Sequence, residues 1–69
     1  MDYVDLVWEV QACLEEARLK LRTAQIAARV LGHDANADML LSMRGTLERY
    51  QANHTRAYSD ILIPVEEVP

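Results

Sequence analysis

Val30-Leu31-Gly32-His33-Asp34-Ala35-Asn36-Ala37 is the stretch that decides how this chain folds, because it stops one helix and starts another. Gly32 takes a left-handed backbone at a helix C-terminus without the penalty a Cβ would bring. Two residues on, Asp34 offers a side chain that caps the free N–H groups of a new helix, and Asp38 adds charge to its first turn. Outward from this break, apolar residues recur three and four apart in both directions. Tyr3, Val7, Val10, Leu14, Ala17, Leu21, Ala24, Ala28 and Leu31 form one seam, and Leu40, Met43, Leu47, Tyr50, His54, Ala57 and Ile61 form the other. Residues at that spacing share one face of a helix. The pattern therefore predicts an all-α chain, an antiparallel two-helix hairpin with the two seams as its core.

The boundaries follow from capping chemistry. Asp2 suits an N-cap, with Asp5 three residues on as a variant of the capping box, so the first helix is expected over 3–31. A loop over 32–34 leads to a second helix over 35–60. Pro64 cannot continue that helix, which makes residues 1–63 the hairpin and 64–69 a short extended tail. Gly45, inside the second helix, costs roughly 1 kcal/mol relative to Ala and so invites a packing reason. A register in which facing residue numbers sum to 67 or 68 sets Ala24 against Met43, Ala17 against Tyr50, Leu14 against His54 and Val7 against Ile61. Small then meets large at most layers, which fills space well.

A core built from 69 residues is small, and one hairpin supplies little burial, so a further source of burial is expected. The single cysteine, Cys13, excludes an internal disulfide and suits a reducing compartment. Acids rather than lysines near the N-terminus, and no uncharged run approaching the roughly 20 residues of a membrane span, point to the cytoplasm and to no membrane partner. A net charge of −4 speaks against general binding to nucleic acid. The order of the charges says more than the total. In a hairpin, residues 1–17 and 50–69 gather eight acids against Arg56, while residues 18–49 gather six bases against Asp34, Asp38 and Glu48. The rod is polarised, acidic at its open end and basic at its turn.

Opposite the seam of the first helix lies a second apolar stripe, Trp8, Ala12, Leu19, Ile26 and Val30, flanked by Arg22 and Arg29. A hairpin has one interior, so this stripe needs another cover. Self-association into a homodimeric four-helix bundle supplies one, and a target protein supplies another. The far face of the second helix repeats small residues, Gly45, Ala52 and Ser59, which would let a helix approach closely.

Chemistry-bearing groupings are sparse. His33 with Asp34 and Asp38 offers one imidazole and reads as a capped loop rather than a metal site, and His54 reads as a core histidine. No nucleophile has a base at a supporting distance, and no phosphate loop or zinc motif is present. The expectation is a chain with no catalytic residues, no cofactor and no metal, and not an enzyme. Three uses remain. The chain is an inhibitor or adaptor anchored by Trp8 and arginines; a dimeric hairpin presenting Arg18, Arg22, Arg29, Arg44 and Arg49 to RNA; or a purely structural assembly protein.

In its length, acidic charge, sparse cysteine and hairpin pattern, the whole chain resembles the small phage-encoded anti-quorum-sensing inhibitors of host regulators. No signature motif carries the likeness, and no residue is transferred by it. The resemblance implies a dimeric hairpin in the host cytoplasm. It also implies two partners, a DNA-binding transcriptional activator of the LuxR type and the type IV pilus assembly ATPase.

Overall fold

In the computed structural model, which describes residues 2–63, every element is helical: α1 (Tyr3–Val30), α2 (Asp34–Ala57) and the single turn α3 (Ser59–Leu62). Antiparallel pairing of α1 and α2 shows at both ends. Arg29 reaches Asp38 near the turn, at 3.3 Å, and His54 Nε2 lies 3.1 Å from the Val7 carbonyl near the open end. At the start of α1, Asp2 Oδ1 accepts from the Val4 N–H at 3.0 Å, satisfying one of the free amides of the first turn.

The turn is closed by backbone. The His33 N–H donates to the Ala28 carbonyl at 2.8 Å and the Gly32 N–H to that of Arg29 at 3.0 Å. With Gly32 at φ +80°, this is the paired bonding of a Schellman motif. It carries the chain straight into α2, which begins at Asp34 and not at Ala35. Asp34 is consequently the first helical residue and not the cap. His33 holds the cap position without a side-chain bond, and its carbonyl accepts from the Ala37 N–H at 2.9 Å. Asp34 still stabilises the helix through its charge at the positive end of the dipole.

The second helix ends at Ala57, three residues before its expected end, because Tyr58 leaves the helical region at φ −121°, ψ 35°. The Tyr58 ring packs against His54 with centroids 5.0 Å apart and edge-on to Tyr3 at 5.9 Å. That aromatic corner redirects the chain so that α3 buries Leu62. Ile63 is extended, and the tail expected over 64–69 lies outside the described residues.

Near the turn Arg29 meets Asp38, in keeping with the expected register, and a departure from it shows at the open end. His54 was expected opposite Leu14 and reaches Val7, two turns nearer the N-terminus. The buried apolar residues are few: Val7, Ala28, Ala37 and Leu62. Leu14, Ala17, Leu21, Leu40, Leu47, His54 and Ile61 are half-buried. Tyr3, Val10, Ala24, Leu31, Met43, Tyr50 and Ala57 were expected in the seams and are exposed, Met43 to 52% and Tyr50 to 57%. The molecule is 15 Å through its thinnest direction, little more than the ~10–12 Å of one helix with side chains. One layer of helices has two broad sides, and both face solvent. Among the described residues no helix is long and apolar enough to cross a membrane.

Candidate interaction surfaces

The exposed half of the seam lies together on one broad side. There Val10, Cys13, Leu14 and Ala17 of α1 line a shallow groove with Leu47 and Tyr50 of α2. Through Val10 the groove opens toward Tyr3, Leu6 and His54; through Leu47 it runs on to Leu21 and Met43. Helix geometry explains the placement. Val7, Leu14, Leu21 and Ala28 recur every seven residues and face α2, so Val10, Ala17 and Ala24, three residues after the first three of them, turn about a sixth of a circle to one flank. Glu9 also lines the groove, next to Cys13.

Cys13 belongs to the apolar groove. Its Sγ lies 3.7 Å from Glu9 Oε1, and the apolar surroundings followed by the Glu9 carboxylate push the thiol above its ordinary pKa. A thiol held protonated is a poor nucleophile at neutral pH.

The opposite broad side is polar. Gln11, Arg18 and Gln25 of α1 are only partly exposed, as are Arg44, Gln51 and Thr55 of α2. Arg44 crosses between the helices, donating from Nη1 to Gln25 Oε1 at 2.8 Å, and its Nη2 lies 3.8 Å from Glu48. Arg18, Gln51, Thr55 and Arg56 line a shallow hollow further along. Among the described residues Gln11 Oε1 and Arg44 Nε are buried and have no hydrogen-bond partner. The reading of the seam missed this side, although a signal for it exists: Gln11, Arg18 and Gln25 are seven apart, and so are Arg44 and Gln51.

The second apolar stripe falls on a third surface. Continuing round α1 past the glutamines come Trp8, Arg22 and Arg29, then Ala12, Leu19 and Ile26, with Val30 beside them. All seven residues are exposed. Trp8, Leu19 and Ile26 are about half exposed, while Arg29 is tied to Asp38. Of the arginines considered for RNA, Arg29 and Arg44 are thus engaged with acidic or amide partners. The small-residue face of α2 gives no reason for Gly45, since a Cβ built there meets nothing within 4 Å. Among the described residues no three His, Cys, Asp or Glu side chains are grouped as metal ligands.

No family model, no curated protein and no solved structure matches this chain.

Proposed function

We propose that the chain works by protein–protein binding, as a non-enzymatic inhibitor or adaptor whose working form is a homodimeric four-helix bundle. The observation that carries this reading is the exposed stripe of Trp8, Leu19, Ile26 and Val30 beside Arg22, on a molecule whose seam is also left half open. Aromatic and arginine side chains around aliphatic neighbours have the composition of binding hot spots. The stripe serves a target, and the open seam serves self-association. Resemblance to the phage anti-quorum-sensing inhibitors extends the reading to a host DNA-binding activator of the LuxR type, met in the cytoplasm, and to the pilus assembly ATPase. The acidic open end favours approach to a basic DNA-binding surface.

The test is release of DNA from such an activator. Added protein should displace the activator from its operator in a gel-shift titration, and the Leu19→Glu/Ile26→Glu variant should fail to do so. An operator complex untouched by excess protein overturns the regulator reading.

A further inference from the structure

Resting on the homodimeric reading, we propose that the second copy occupies the open apolar flank, over Val10, Ala17, Met43 and Tyr50, and lies antiparallel to the first. The acidic open end of each hairpin then sits beside the basic turn end of the other.

Three observations carry this. The first is the seam itself. In a four-helix bundle every helix aims its three-four seam at the centre of the four, between its two neighbours, not directly at one of them. A hairpin taken from such a bundle buries one half of the seam and leaves the other half open on one flank. That is the arrangement here: Val7, Ala28 and Ala37 are buried, and Val10, Met43 and Tyr50 are exposed on a common side.

The second is size. A 28-residue helix is about 42 Å long, and two helices side by side are about 20 Å wide, so the flank offers roughly 800 Å². A standard stable interface buries about that much per partner. The lining of the groove is almost wholly apolar, as the central part of a homodimer interface is.

The third is charge. Among the described residues the open end holds Asp2, Asp5, Glu9, Glu15, Glu16 and Asp60 against Arg56. The turn end holds Arg18, Lys20, Arg22, Arg29, Arg44 and Arg49 against Asp34, Asp38 and Glu48. A parallel pair sets acid beside acid; an antiparallel pair sets acid beside base and lowers the repulsion. The opposite broad side fits a second copy less well, because it would bury Arg18 and the Arg44–Gln25 bridge without matching partners. With the apolar flank covered, Trp8, Leu19 and Ile26 remain outside, on the far side of each α1.

The experiment begins with light scattering on the intact protein, which should give twice the 7.9 kDa chain mass. Val10→Glu/Tyr50→Glu should give the single-chain mass, with self-association weakened more than tenfold. Leu19→Glu/Ile26→Glu should leave the dimer intact. A dimer retained by the first variant and lost by the second overturns the flank while leaving the homodimeric reading standing; a single-chain mass at all concentrations overturns both. If the Val10/Tyr50 variant loses its helical circular dichroism, the unaltered protein supplies the answer through Cys13. Alkylation of that thiol should slow at least about tenfold as concentration rises through the association range, and a rate independent of concentration overturns the flank. Orientation is read from a spin label at His33→Cys in a Cys13→Ser background. Labels at the two turns should lie about 40 Å or more apart in the antiparallel pair, by the helix length. A separation under roughly half that overturns the antiparallel arrangement.

Discussion

The two broad sides of this hairpin are made by the same pair of helices, and one register position separates them. Residues 10, 17 and 24 give one side valine and two alanines, while residues 11, 18 and 25 give the other two glutamines and an arginine. On the polar side Arg44 and Gln25 bridge the helices at 2.8 Å and the exposed polar groups can be solvated, so this side tolerates being left open even though Gln11 Oε1 and Arg44 Nε are buried there. On the apolar side the groove over Leu14 and Leu47 has almost no polar group to offer water, so covering it is favourable. The lesson is that an inter-helix seam two residues wide has a wet edge and a dry edge. The dry edge tells where further structure belongs.

The largest expected effect comes from the floor shared by the helix pair and the dry edge. Leu47→Ala should destabilise by about 1.5–2.5 kcal/mol, since half-buried Leu47 lines the groove beside both Tyr50 and Met43 and its loss removes apolar contact between the helices. The check is the urea midpoint at fixed protein concentration. On the wet edge, Gln25→Ala removes the neutral partner of a bridging arginine that still has Glu48, and should cost about 1 kcal/mol. If Gln25→Ala proved the more damaging, the polar bridge and not the apolar seam would be holding the hairpin, and the contrast between the sides would be inverted.

Much of the fold was legible in the sequence because its signals are local. Gly32 announced the end of α1, and Asp2 its start, through backbone and capping rules that act within a few residues. The apolar seams were legible as faces. What they face was not, since spacing of three and four marks a helix side without saying whether one neighbour or two lie beyond it. Val10, Met43 and Tyr50 were therefore assigned to the interior of one hairpin, and the structure exposes them. The break at Tyr58 was illegible for a different reason: it depends on rings from Tyr3 and His54 meeting it across the hairpin, a long-range packing event with no local breaker. The stripe of Trp8, Leu19 and Ile26 was visible at once as an apolar surface. Its separation from the open flank appears only when the glutamines and Arg18 are seen to lie between them.

A smaller effect, of opposite sign, sharpens the same comparison. Gln11 Oε1 is buried on the wet edge with no hydrogen-bond partner among the described residues. Replacing it by a leucine of similar size removes a polar group that gains little from being there, so Gln11→Leu should be neutral or stabilise by up to about 1 kcal/mol in the same urea series. Destabilisation of that size instead would mean that the amide is satisfied through water and that this edge needs its polar groups. The side would then be a specific polar surface and not merely a tolerant one.

The smallest effect tests Gly45 on α2, whose small neighbours Ala52 and Ser59 border the polar hollow. Gly45 lies in the helix interior with open space where its Cβ would go, so Gly45→Ala should stabilise the helix by roughly 0.5–1 kcal/mol and leave self-association unchanged. The result decides between two reasons for a glycine there. If a second copy covers the dry edge, that part of α2 remains in solvent, the added methyl meets nothing, and only helix propensity changes. If instead another helix lies close against Gly45, Ala52 and Ser59, the methyl falls in the contact. The variant would then associate more weakly even while its isolated helix becomes more stable. Thermal unfolding read alongside light scattering separates these outcomes, because propensity raises the midpoint at every concentration whereas a lost contact lowers it most where the dimer is most populated.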